Sequence, residues 1–368
     1  MTNNSVSFYF HIPFCAKKCD YCAFFSLAKQ SEELKQRYFE ALLRQIDFFP
    51  TDRKVKTVYF GGGTPPLLGV HRLCKLIEAI NGRFVLSDEC EITVEVNPGT
   101  VDFDALCKLR SAGANRLSIG VQSANDRVLM SIGRIHTFEQ ARECIENARK
   151  AGFENISADL IFALPSQSDE EFAKGLEMIM STEIDHLSIY SLQLEEGTPL
   201  FARKNELCFP DEDSEERQYD TICATLAANG FEHYEVSSFA KPNYRSKHNL
   251  NYWSRGEYFG FGAGAHSYCF GKRFCAPNDV EAYIQNSRTS LLAPTDFDDA
   301  PFVSETEAEE ERIMLGLRTA DGAIIPEASF DNAKRIAALG YGSFENGVLR
   351  LNGKGFRVSN SIIANILI

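Results

Sequence analysis

The sequence has no run of about 20 uninterrupted apolar residues, so neither a transmembrane helix nor stable membrane insertion is expected. Its start, MTNNSVSFYFHIPFC, lacks the basic stretch followed by an apolar one that marks a secretory signal, and the expected location is the cytoplasm. Positive charge is scarce. Lys and Arg number 38 against 51 Asp and Glu, a formal net charge of −13, which argues against nucleic-acid binding while leaving room for a local basic patch. Tryptophan occurs once, at Trp253, and low-complexity tracts are missing. With 44% apolar and 24% charged residues, the chain can build a sizeable core, and its 368 residues suit two or three domains of roughly 150.

Cysteine is abundant by contrast: 11, an odd number. In a reducing compartment a disulfide framework is not expected. Eight of them (Cys74, Cys90, Cys107, Cys144, Cys208, Cys223, Cys269 and Cys275) read as packing or incidental thiols. Cys15, Cys19 and Cys22 form C-x3-C-x2-C directly after the apolar run Val6–Phe10. Three thiolates serve three irons of a cubane cluster and leave the fourth open to an outside ligand. A zinc site needs a fourth protein ligand, which His11 would supply.

Short apolar runs at Val55–Phe60, Glu91–Val96, Arg116–Val121, Ile156–Phe162 and His186–Leu192 continue the pattern, separated by helical periodicity near 71–81, 102–112, 138–151 and 169–181. Six such runs predict repeated βα units around a parallel sheet, barrel-like or open. Ligand chemistry then belongs at the carboxyl ends of the strands. The Cys cluster, Gly61–Thr64, Glu95 with Asn97, and Gln122 fall there, whereas Asp159 lies within its run. Glycines at 61–63 fit a close backbone approach or a tight turn. A buried Glu95 needs a partner, whether a ligand or a salt bridge. Beyond Thr198 the pattern changes. Residues 206–217 read as an acidic connector into a helix over 218–228, Phe231–Tyr268 as irregular structure bearing a site, and 305–318 as an amphipathic helix. Val348–Leu351, the Gly353 and Gly355 turn and a last helix over 360–368 look like a small winged-helix-like appendage.

These motifs, together with EVNPGT, GRIHT, DLIFALPSQ and SIYSLQLEEGTPL, give a chain that resembles the radical S-adenosylmethionine (SAM) superfamily along nearly its whole length. The likeness is to the branch that holds oxygen-independent coproporphyrinogen III dehydrogenases and HemW-type heme chaperones. It implies an α/β fold, a partial (βα)6 barrel over 1–204, a connecting region over 205–295 and the C-terminal appendage over 296–368. It implies a [4Fe-4S] cluster on Cys15, Cys19 and Cys22, whose open iron takes SAM, and SAM-contacting positions at Tyr9, Tyr21, Gly62, Gly63, Thr64, Glu95, Gln122, Arg134 and Asp159. Two departures separate the branches. The dehydrogenases carry a further Cys where this chain has Phe24, and a longer segment before the cluster than the 14 residues found here. His248-Asn249-Leu250-Asn251-Tyr252-Trp253 matches the HNxxYW motif that the chaperones associate with heme, with His248 as an imidazole for the iron and His266 as a second candidate. Lys241, Arg245 and Lys247 would meet the propionates. The resemblance therefore implies a heme chaperone with heme-acceptor proteins, respiratory ones among them, as partners, and leaves a homodimer open. The alternative is oxidative decarboxylation of coproporphyrinogen III. Replacing one cluster ligand, Cys19→Ala, is expected to abolish the iron–sulfur absorption after anaerobic reconstitution, and normal spectra with retained iron would refute the assignment.

Overall fold

The computed structural model describes residues 5–50, 52–288 and 301–367. Six parallel strands follow one another in sequence order across the sheet: β1 (Ser5–Ile12), β2 (Lys54–Gly62), β3 (Leu86–Val96), β4 (Arg116–Gln122), β5 (Asn155–Phe162) and β6 (His186–Ser191). Helices Glu32–Phe48, Val70–Arg83, Phe103–Ala112, Phe138–Lys150 and Asp169–Met180 make the crossovers. Their starts are set locally. Ser31 and Asp102 cap the first and third, and Thr137 with Gln140 and Ser168 with Glu171 form capping boxes. This is the partial (βα)6 barrel that the resemblance implies, and one of the two arrangements that the alternation of elements leaves open.

The sheet is wider than six strands. Tyr258–Phe261 pairs in parallel with the free side of β1, and the hairpin His266–Cys269/Lys272–Cys275 extends that edge. On the far side Ser238–Ala240 and Glu232–Glu235 add antiparallel strands to β6. The segment 231–268, expected to be irregular, is thus largely regular structure and includes the helix Lys247–Trp253. Its strands are only three or four residues long, too short for an alternating pattern to stand out. Likewise the helix expected over 218–228 begins at Glu212, because Asp211 caps it and acidic residues favour a helix N-terminus.

Along each barrel strand the side chains alternate between two environments. Phe8 and Phe10 of β1 point out toward the helical layer. Phe8 meets Phe49, Phe84 and Phe261 edge-on at 5.0–5.1 Å between ring centroids. Phe10 stacks between Phe60 at 4.8 Å and Phe261 at 4.4 Å. The alternate residues Tyr59, Glu95, Ser118, Asp159 and Ser188 point inward and line a cavity. A separate hydrophobic cluster, which includes Leu317, Leu349, Phe356 and Ile363, lies under the three-stranded sheet Ala323–Ile324, Val348–Leu351 and Gly342–Glu345 near the C-terminus. Its last helix is Ser359–Ile366, while the boundary expected between 295 and 296 and the end of the expected helix at 368 lie outside the described residues. Phe10 is fully buried between two rings, so Phe10→Ala is expected to cost about 3–5 kcal/mol, measured as a lower denaturation midpoint.

Candidate functional site

The Cys loop leaves β1 at its carboxyl end. Its two ends are tied together where Leu27 N–H donates to Pro13 at 2.6 Å and Lys29 N–H to Cys15 at 3.2 Å. In between, Asp20 anchors it. Its N–H donates to Ile132 at 3.0 Å, its carbonyl accepts from Leu200 N–H at 2.8 Å, and its carboxylate pairs with Arg203 at 3.2 Å. Thus the GTPL segment, Gly197–Leu200, serves the loop from a distance. All three thiols face one cavity of about 460 Å³ over the carboxyl ends of β2 to β6.

A chain of hydrogen bonds joins two of the thiols through the barrel strands. Cys15 Sγ accepts from Thr64 Oγ1 at 3.8 Å, and Thr64 Oγ1 accepts from Asn97 at 2.8 Å. Asn97 Oδ1 in turn accepts from Arg134 at 2.7 Å, and the other arm of that guanidinium reaches Cys19 Sγ at 3.5 Å. Burial pushes the Cys22 thiol up, and the neighbouring sulfurs of Cys19 and Cys15 add to that. Asn97, which ends the run EVN, is thereby a hub of the site, although its sequence position showed only that it lies at a strand end.

The other residues expected at the cofactor mostly line the same cavity. Glu95 is buried. Its carboxylate accepts from Tyr59 Oη at 2.7 Å and from Gly62 N–H at 3.1 Å, and burial still pushes its carboxyl up to about 7. Asp159 accepts from Ser118 Oγ at 3.0 and 3.1 Å and is also raised by burial, against the nearby Arg116. Gln122 adopts φ +67° beside a register shift in β4, an uncommon conformation for a side-chain-bearing residue and one that turns it onto the cavity wall. Tyr21 packs on Val128, Ile132, Ile161 and Leu164 at the rim. The glycines answer a need inside the protein. A Cβ at Gly62, where φ is +106°, would stand 2.5 Å from the His11 ring, and one at Gly63 would stand 2.8 Å from the Phe14 carbonyl. Their backbone is left facing the cavity.

Four expectations meet a different arrangement. Tyr9 does not line this cavity. Its hydroxyl donates to His11 Nδ1 at 3.0 Å, and its ring borders a second cavity. His11, the fourth ligand of the zinc alternative, is held by that bond and donates from Nε2 to Phe25 at 2.9 Å, so it is turned away from the thiols. His248 lies on the helix that closes the amino-terminal end of the barrel and is only 1% exposed. Its Nδ1 bonds Thr57 Oγ1 at 2.7 Å, its Nε2 bonds Tyr252 Oη at 3.0 Å, and burial lowers it to about 3. Both ring nitrogens are engaged inside the protein. The expected basic patch is engaged as well, with Lys241 on Asp185, Arg245 on Glu232 and Asp321, and Lys247 on Glu89.

The sequence profile of the radical SAM superfamily matches residues 9–179, which carry the Cys loop and β1 to β5. The chain is 38% identical over 328 residues to the heme chaperone HemW of Lactococcus lactis subsp. lactis (strain IL1403), covering 89% of this chain and 84% of that protein. It is 39% identical over 326 residues to the heme chaperone HemW of Bacillus subtilis (strain 168), covering 86% and 84%. The chain belongs to the HemW branch of the radical SAM superfamily. The solved structure of coproporphyrinogen III oxidase (HemN) from Escherichia coli, described as a radical SAM enzyme, matches with a TM-score of 0.81 at 22% identity over 98% of this chain and 89% of that one, a likeness of fold.

Membership in the radical SAM superfamily implies a [4Fe-4S] cluster and SAM, and the donor set fits them. Three free thiols face one cavity, with a guanidinium on one sulfur and the half-buried carboxylates of Glu95 and Asp159 on the same cavity wall. Among the described residues no three His, Cys, Asp or Glu side chains are gathered closely enough to hold a metal ion as they stand. The carboxyl of Glu95, raised from 4.5 to about 7, contributes stability that is complete below 4.5 and is lost as the pH rises toward 7. In ligand-free protein Glu95→Gln is expected to remove that part of the slope, on the order of 3 kcal/mol between pH 4.5 and 7, as read by denaturant titrations at each pH.

Proposed function

We propose that the protein is a heme chaperone. It binds heme and hands it to acceptor hemoproteins, on a scaffold whose cluster is held by Cys15, Cys19 and Cys22 and completed by SAM. The reading rests on the identity of 38–39% to two proteins named heme chaperone, each covered over 84% of its length. The observation that carries it at residue level is Phe24. In place of a fourth thiol this side chain is 71% exposed, and it borders both the cluster cavity and the second cavity. A large apolar ring in that position can serve an apolar cargo and gives an electron no further sulfur to use. A cluster on three thiolates supplies an iron open to an outside ligand. Around it Thr64, Asn97 and Arg134 hold the loop, and Glu95 and Asp159 offer buried carboxylates to a cationic amine or to ribose hydroxyls.

The reading extends to a cytoplasmic protein, respiratory hemoproteins among the acceptors, a homodimeric option and no nucleic-acid partner. Among the described residues no helix is long and apolar enough to cross a membrane. Porphyrinogen oxidation is the competing activity, and its support is likeness of fold to the E. coli enzyme. Paired assays on the anaerobically reconstituted protein separate the two. The expected result is stoichiometric hemin binding followed by transfer to an apo-hemoprotein, with no protoporphyrinogen IX formed from coproporphyrinogen III in the presence of SAM and reductant. Multiple turnovers to protoporphyrinogen IX would overturn the chaperone reading.

A further inference from the structure

The second cavity, about 930 Å³, adjoins the first across Phe24 and has Phe25, Tyr252 and Tyr258 among its walls, with His266 and Cys275 at its edge. The chain has seven histidines. His11, His136, His186 and His248 each bond at least one ring nitrogen within the fold, and His233 is stacked at 4.0 Å on Phe239. His71 is exposed but lines neither cavity. His266 alone among them is exposed and faces a cavity, and among the described residues its ring has no hydrogen-bond partner.

We propose that this second cavity is the heme seat and that His266 is the axial ligand to the heme iron. The inference rests on the chaperone reading and names the site that reading needs. His266 opens the strand His266–Cys269, where it is the cross-strand partner of Cys275, so its ring stands on the exposed face of a rigid hairpin. Imidazole is a common axial ligand of heme iron, and aromatic walls suit the macrocycle. Two residues along the same face, the guanidinium groups of Arg255 and Arg273 lie over the Tyr268 ring at 4.7 and 5.2 Å. Both pair with the one carboxylate of Glu311, which fixes them on that face of the hairpin.

The geometry also assigns the HNxxYW motif a task. His248 Nε2 holds the Tyr252 hydroxyl, and the Tyr252 ring lies edge-on to Tyr258 at 4.6 Å on the cavity wall. His248 is therefore a positioning residue that acts on the seat through Tyr252.

The test is hemin titration of the full-length, anaerobically reconstituted protein, followed by quenching of Trp253, the only tryptophan, and by resonance Raman and EPR signatures of the heme ligand. His266→Ala is expected to weaken binding roughly tenfold or more and to remove the histidine-ligated signature, which added imidazole restores. His248→Ala should weaken binding while keeping that signature, and His71→Ala should change neither. Should His266→Ala keep affinity and signature while His248→Ala loses the signature, the seat is wrong and the chaperone reading stands. Loss of the signature in Cys275→Ser alone transfers ligation to the thiol and overturns His266. Wild-type protein that binds no hemin removes the chaperone reading itself.

Discussion

The Glu91 carboxylate accepts from the first backbone N–H groups of the helix Lys247–Trp253, Lys247 at 3.1 Å and His248 at 3.0 Å. A carboxylate at a helix N-terminus answers two needs, since it satisfies orphan donors and matches the helix dipole. Much of the site follows from that contact. With the helix fixed beneath the barrel, His248 reaches Thr57 and stacks at 4.9 Å on Tyr59. Tyr59 holds Glu95, and Glu95 holds the Gly62 amide at the cavity wall. On the other side, His248 steadies Tyr252 and with it the wall of the second cavity. A seven-residue helix from late in the chain thus connects the floors of both cavities.

The repeated βα units were legible in the sequence because their outward face is apolar and their crossovers carry capping signals, whereas closure toward a barrel was not, since periodicity does not fix curvature. Phe8, Phe10, Val58 and Phe60 mark strands whatever their partners do. The inward face was harder to read. Thr57, Glu91, Arg116, Ser118 and His186 look like interruptions in apolar runs, yet they form a polar lining whose members bond one another across strands. Pairs such as Ser157–His186 at 2.7 Å, or Ser118–Asp159, join residues far apart in sequence, and periodicity contains no term for that. The three cysteines were legible because their spacing is local. Asn97 as a hub was not, since its role depends on Thr64 and Arg134 arriving from other strands.

His248 poses the opposite problem. A histidine in a motif rich in aromatics suggests a metal ligand, and nothing in the sequence says that Thr57 and Tyr252 will engage both its nitrogens. Burial accounts for that engagement, because an imidazole without contact to solvent is hydrogen-bonded within the fold. His266, in a run of small residues, carries little local signal. Its exposure comes from a hairpin that was itself too short to detect.

Ala23 and Phe24 border both cavities, so the loop that carries the three thiols is also part of the wall of the second chamber. Two chambers with a shared wall are not thermodynamically independent. Any ligand that selects one position of that loop alters the free energy of occupying the other chamber, and linkage makes the effect equal in both directions. Phe24 is then more than the absence of a fourth cysteine: its ring belongs to the wall of both chambers, and a displacement of it reshapes both at once.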